Sequence, residues 1–272
     1  MRNLQEYIDS QLSRGRGYFT KEAALAEAGL STSALQAGIG RAIRKGAILS
    51  PRRGFYLILR PEDRQLGAPD PSRWIDPLMK HQGLDYRISL LRAAAFHGSS
   101  HQAAMVFQVI AHKQLPKIVL GRQRVEFLYQ SKAAFVQANN PKWLSKFKTE
   151  AGFAQIAGLE LTLLDICRYF HKAAGINGAA QAVHDLGKYV NPRILAKAAS
   201  AYENSAVRRL GYLLEHFGHN RQAQALKFFA MKAKSFKALD PAVKSLVPEL
   251  GVLDEKNQDW KLIINVPIEI EA

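Results

Sequence analysis

The 272-residue chain holds a single cysteine, Cys167. One thiol excludes an internal disulfide and a zinc site built from several thiolates. Its setting, LTLLDICRYF, is apolar, so a buried structural thiol is expected there and not a nucleophile, which needs electropositive, accessible surroundings. No apolar run reaches the roughly 18 to 20 residues that span a bilayer. The opening MRNLQEYIDSQLSRGRG lacks the uninterrupted apolar core of a signal peptide, so a cytoplasmic location with no membrane partner is expected. Acidic residues are scarce: 23 Asp and Glu face 38 Lys and Arg, a net charge of +15. Such an excess favours a polyanion, nucleic acid or an anionic membrane surface, and charge alone does not choose between them. Also missing are a phosphate-cradling glycine loop, a serine-nucleophile signature and an H-E-x-x-H pair. No enzyme, cofactor or metal is therefore expected.

What is present is a core-forming chain, 47% hydrophobic, long enough for two domains. Leu4, Ile8 and Leu12 share one face of a first helix that ends near Ser13, before Gly15 and Gly17. Thr20 stands as N-cap to KEAALAEAGL, which Gly29 closes. Ser31 or Ser33 caps a third helix in which Leu35, Ile39 and Ile43 are expected to face the core, leaving Gln36, Ala37, Gly40, Arg41 and Arg44 outward. Ala47 to Ser50 and Phe55 to Leu59 read as strands around a turn of Pro51, Arg52, Arg53 and Gly54. Helix, glycine turn, helix and basic hairpin form the layout of a winged helix-turn-helix. On that layout Gln36 and Arg41 reach base edges, Arg44 a phosphate, and Arg52 and Arg53 the DNA backbone or minor groove.

Residues 60–73, RPEDRQLGAPDPSR, have linker composition and set the expected boundary between a domain at 1–67 and one at 68–272. Beyond it the pattern mixes strands (MVFQVIAHK, KIVLGRQRVEFLYQ), helices (RISLLRAAAFHG, GLELTLLDICRYF, GINGAAQAVHDLG, PRILAKAASAY, SAVRRLGYLLEHFG) and a final alternating stretch, DWKLIINVPIEIEA. The expected fold class is α+β, an N-terminal winged helix-turn-helix followed by a mixed α+β domain. From residue 113 to 150 eight Lys or Arg, among them Lys113, Lys117, Arg122 and Arg124, face Glu126 and Glu150. This second basic surface has three readings: an extension of a DNA footprint, an approach to a protein partner or that partner's nucleic-acid substrate, or a solvated strand face.

Two short patterns test the enzyme class. His184 and Asp185 spell the dipeptide of metal-dependent phosphohydrolases, with His171 and Asp165 upstream, but at distances that match no trusted pattern. His97 and His101 are four apart, yet Gly98, Ser99 and Ser100 break the helix that would align them, and a turn with two hydrogen-bonded histidines is expected.

Taken in order, GYFTKEAALAEAGLSTSALQAGIGRAIRKG, GFYLILRPEDRQLGAP, SLLRAAAFHGSSHQAAMVFQVI, LELTLLDICRYF and AVRRLGYLLEHFG resemble the AbiEi-type antitoxins of type IV bacterial toxin–antitoxin systems. The resemblance runs over nearly the whole chain. It implies an N-terminal winged domain that binds and represses the promoter of its own operon, and a C-terminal domain that counteracts a nucleotidyltransferase-like toxin without requiring a stable complex with it. Carried over by position, the DNA-reading element falls on Ser33, Gln36, Arg41, Arg44 and Lys45, and the wing on Arg52 and Arg53. The alternative is a ligand-responsive winged-helix repressor unconnected to a toxin.

Overall fold

The computed structural model describes residues 3–99, 106–243 and 255–270. Two compact units emerge, one built from residues 1–87, 105–130 and 146–155, the other from 88–104, 131–145 and 156–272.

The first unit begins with α1 (Leu4–Ser13), the short strand β1 (Tyr18–Thr20), α2 (Lys21–Ala28) and α3 (Thr32–Arg44), then β2 (Ile48–Arg52) and β3 (Phe55–Ile58). The caps follow from local chemistry. Thr20 Oγ1 accepts from the Ala23 N–H at 3.1 Å and Ser31 Oγ from Ala34 N–H at 3.2 Å, satisfying amides that a helix start leaves unpaired. Gly29, at φ 65°, ends α2 in the left-handed region that glycine adopts without steric cost. Leu4, Tyr7, Ile8, Phe19, Leu35, Ile39, Ile48 and Ile58 fill the core between these helices and the β1-β3-β2 sheet, with Tyr7 edge-on to Phe19 at 5.5 Å. Ile43 departs from the expected core stripe and is 43% exposed, while Ala42 is buried in its place. Steps of four residues advance about 40° beyond a full turn each, so the eighth residue rotates off the face that the seventh occupies.

The β2–β3 turn is tighter than expected. Arg52 pairs with Phe55, leaving Arg53 and Gly54 as the two-residue turn with Gly54 at φ 79°. Pro51 lies within β2, at an irregularity between Leu49 and Arg52 on an edge strand, where the missing N–H is tolerated. Residues 60–73 are not an open linker. They form 3-10 turns at Pro61–Asp63 and Pro71–Arg73, bury Asp63, Ala68 and Pro71 and lie wholly inside the first unit. Their prolines open turns, and Arg73 pairs with Asp63 at 3.2 Å.

After α4 (Ile75–His81) the chain enters β4 (Tyr86–Ile88), α5 (Leu90–Phe96), β5 (Phe107–Ala111), β6 (Ile118–Leu120), β7 (Gln123–Tyr129), α6 (Lys132–Ala138), β8 (Leu144–Thr149) and β9 (Gly152–Ala157). The strands join in the order β6-β7-β5-β4-β9-β8. β5 runs parallel to β7, and β6 antiparallel to it with Ile118 opposite Val125 and Val119 opposite Arg124. Ile118 and Val125 are buried while Val119 and Arg124 are exposed, the alternation that a pleated strand imposes.

The second unit is mainly helical: α7 (Leu159–Arg168), α8 (Gly175–Leu186), α9 (Pro192–Ala199), α10 (Asn204–His216), α11 (Asn220–Gln224) and α12 (Lys227–Met231), with a small sheet of β10 (Lys237–Ala238), β11 (Glu255–Asn257) and β12 (Leu262–Ile264). α7 is buried on all sides from Glu160 to Cys167. Its Asp165 accepts from Ser89 Oγ at 2.6 Å and Tyr202 OH at 2.7 Å. Arg209 on α10 donates to the carbonyls of Cys167 and Leu239, both at 2.8 Å, so its buried guanidinium satisfies a carbonyl at the end of α7. Among the described residues the final alternating stretch yields three strand residues, Leu262–Ile264, after which the Asn265 side chain bonds the backbone of Asp240 and Val243.

Candidate nucleic-acid interface

α3 buries Leu35, Gly38, Ile39 and Ala42 and turns Ser33, Gln36, Ala37, Arg41, Arg44 and Lys45 to solvent. Gly38 lies so close to α1 that a Cβ there would stand 3.1 Å from Leu4 Cβ, whereas a Cβ at Gly40 would meet nothing within 4 Å. The outward face is thus small and shallow along Ala37 and Gly40, with Gln36 on one flank and Arg41, Arg44 and Lys45 towards the C-terminal end. There the cations also complement the helix dipole. Ser33 Oγ sits 3.1 Å from the capping Ser31 Oγ, which ties it to the helix start.

The two hairpin arginines part company. Arg53 is exposed in the turn, its carbonyl 3.2 Å from His81 Nε2. Arg52 is half-buried: it donates to the Pro51 carbonyl at 3.0 Å and to the Pro116 carbonyl, and its guanidinium lies 5.7 Å over the Phe127 ring. Burial lowers its pKa, as desolvation does to any cation. Among the described residues, Arg41, Arg44, Lys45 and Arg53 make no ion pair. The chain has no Asp or Glu between Glu27 and Glu62.

Lys113, Lys117, Arg122 and Arg124 belong to the same compact unit and are all exposed. Glu150, which the sequence sets against this basic stretch, is engaged elsewhere, with Arg60 at 2.9 Å and Arg73 at 3.3 Å. Those partners border a cleft of about 570 Å³ lined by Tyr7, Tyr18 and Trp74. Most of its charges are paired, Arg14 with Glu27 and Asp63 with Arg73 included, although burial still raises the Asp63 pKa.

The patterns considered for catalysis resolve into structural contacts. Cys167 is fully buried, and desolvation pushes its thiol up to about 12. Asp185 accepts from Ser99 Oγ at 2.6 Å and Gln181 Nε2 at 3.0 Å, with His184 Nδ1 at 3.3 Å. His97 Nε2 contacts the Ala157 carbonyl at 2.8 Å; His101 lies outside the described residues. Among the described residues no group of three or more His, Cys, Asp or Glu is placed to hold a metal, and no helix is long and apolar enough to cross a membrane.

Residues 87–216 match the family model described as the AbiEi antitoxin C-terminal domain. The chain carries an AbiEi antitoxin domain. The match supports a likeness of this part of the chain to the AbiEi-type antitoxins. No curated protein matches the chain. Among solved structures, the RV2827C protein from Mycobacterium tuberculosis superposes with a TM-score of 0.68 at 19% identity, over 94% of this chain and 89% of that one. At that identity the likeness is one of fold, and it spans the N-terminal elements as well as the AbiEi domain.

Proposed function

We propose that the protein is a type IV antitoxin that represses its own operon, with α1–α3 and the β1-β3-β2 sheet acting as a winged helix-turn-helix on promoter DNA. The observation that carries this reading is the outward face of α3. It is acid-free and shallow at Ala37 and Gly40, and it is flanked by Gln36, Arg41, Arg44 and Lys45, none of the three cations being in an ion pair among the described residues. A helix entering a major groove needs this combination, close backbone approach with a few long polar side chains for base edges and phosphates. Gln36 and Arg41 read bases, Arg44, Lys45 and Arg53 hold phosphates, and Ser33 orients the start of α3. Arg52, whose donors are turned to Pro51 and Pro116, holds the hairpin in place. The AbiEi domain counteracts a nucleotidyltransferase-like toxin, with no stable complex between the two required. The protein works in the cytoplasm, where operon and toxin are met.

The test is a titration of the full chain with the duplex upstream of its own gene and with a scrambled duplex at equal salt. Preference for the native duplex, abolished by Gln36→Ala/Arg41→Ala, supports sequence-specific repression. Equal binding of both duplexes by the wild type sinks it. Protection of cells that express the co-encoded toxin, retained by the same variant, separates the antitoxin role from DNA reading.

A further inference from the structure

We propose that the β6–β7 hairpin is a second phosphate-binding strip for the same duplex, carried by Lys117, Arg122 and Arg124 and clasped to the β2–β3 hairpin by Arg52. The proposal rests on the DNA-binding reading above and extends its footprint beyond the winged element.

Three observations bear on it. First, the hairpin is fastened to the N-terminal part of its unit at two points. Arg52 bonds the carbonyl of Pro116, the residue before Lys117, and the Arg122 N–H donates to the Leu66 carbonyl at 2.8 Å. The turn is seated tightly: a Cβ on Gly121 would stand 2.3 Å from the Leu66 oxygen and 2.7 Å from Gly67 Cα, so only glycine allows this approach. Arg52 therefore brings the backbone beside Lys117 against the β2 strand that leads into the Arg53 turn.

Second, the ladder register sorts the side chains. Ile118 and Val125 are buried as a pair, and Val119 and Arg124 form the exposed pair next to them. Lys113, Lys117 and Arg122 are exposed in the flanking loop and the turn. Between Asp85 and Glu126 the chain has no acidic residue, and Glu126 itself is half-buried. Third, Lys117, Arg122 and Arg124 make no ion pair among the described residues. A solvated strand face commonly intersperses charges of both signs; this one presents a single sign on a rigid mount. Duplex DNA is favoured over a single strand because aromatics, on which unpaired bases stack, are missing from Lys113 to Val125; the exposed Tyr129 stands at the far end of β7 from the turn.

The experiment measures the salt dependence of binding to the native and scrambled duplexes by wild type, Lys117→Ala/Arg122→Ala/Arg124→Ala, Arg52→Lys and Gln36→Ala/Arg41→Ala, at a temperature well below the melting temperature of each. A phosphate contact contributes about 0.9 to the slope of log K against log salt. The triple variant is expected to lose between about two and three from that slope, to weaken on both duplexes alike and to keep its sequence preference. Arg52→Lys preserves the charge but not the paired carbonyl bonds, so as a clasp it is expected to lose affinity, whereas a simple phosphate contact would be rescued by lysine. A triple variant with wild-type slope overturns the second strip while leaving the DNA-binding reading intact. Failure of the wild type to bind either duplex defeats the underlying reading instead. An unchanged DNA slope with weakened binding of a structured RNA would overturn the proposal in favour of RNA as the hairpin's ligand.

Discussion

Two glycines two positions apart on α3, Gly38 and Gly40, are expected to respond oppositely to the same substitution. At Gly40 an added Cβ meets nothing within 4 Å. Gly40→Ala then gains the helix-propensity difference of about 0.8–1.0 kcal/mol, a rise in melting temperature of about 2–4 °C. At Gly38 the Cβ would lie 3.1 Å from Leu4 Cβ and 3.2 Å from its Cδ2. The same propensity gain is offset there by overpacking worth about 1–3 kcal/mol, and the melting temperature is expected to fall below wild type. The functional half of the prediction uses Gly40→Leu, which keeps a strong helix former but sets a branched side chain among Gln36, Ala37 and Arg44, its neighbours at i−4, i−3 and i+4. Lifting α3 out of a groove by that side chain removes base contacts worth about 1–3 kcal/mol each, about five- to 160-fold in promoter affinity. Thermal unfolding of all three variants and a promoter titration of Gly40→Leu decide the matter. Gly40→Leu with raised stability and wild-type promoter affinity would refute the reading of this face, and equal melting temperatures for the two alanine variants would refute the packing.

Trp260 is fully buried against Gly211 on α10, where a Cβ would overlap the indole ring, and its Nε1 donates to Glu215 at 2.5 Å. Trp260→Ala is expected to cost about 3–5 kcal/mol and to speed hydrogen exchange across residues 204–216, and unchanged exchange there would contradict the anchor. Cys167, its thiol pushed up to about 12 by burial, is expected to resist iodoacetamide at pH 8 until denaturant is added, so prompt labelling of native protein would refute its burial. The unfolded thiol ionises first, near its ordinary value of 9.0, so this group's contribution to stability is intact below pH 9 and falls as pH rises towards 12. Cys167→Ala is expected to flatten that part of the stability profile.

The helical N-terminus was legible in the sequence because its signals are local. A threonine and a serine stand three residues before the amides they cap, and Gly29 closes α2 within the same few residues. The stripe failed at Ile43 because a four-residue step accumulates rotation that two turns do not reveal. The stretch 60–73 read as a linker because proline and alternating charge carry the same signal in an open connection and in a run of 3-10 turns. What separates the cases is Asp63, buried and paired with Arg73, and Arg60 and Arg73 meeting Glu150 about eighty to ninety positions away. Such partners have no trace in composition.

The same limit explains the adjacent arginines of the basic hairpin. Sequence makes Arg52 and Arg53 equal, two cations at one turn. The fold makes them different because Arg52 is the last residue of β2, paired with Phe55, while Arg53 begins the turn. One step along the chain moves the guanidinium from the turn to the carbonyl of Pro116, 64 residues away. A half-buried cation that bonds carbonyls and covers an aromatic ring is poorly placed to release counterions from DNA, since that release rests on charge brought to phosphate. Single substitutions therefore divide the pair. Arg53→Ala is expected to lower the salt slope by about 0.9 with the melting temperature unchanged. Arg52→Ala is expected instead to lower the melting temperature, because it removes the bonds to the Pro51 and Pro116 carbonyls and the cover over Phe127. Equal slopes and equal melting temperatures for the two variants would return both residues to the role that sequence alone gives them.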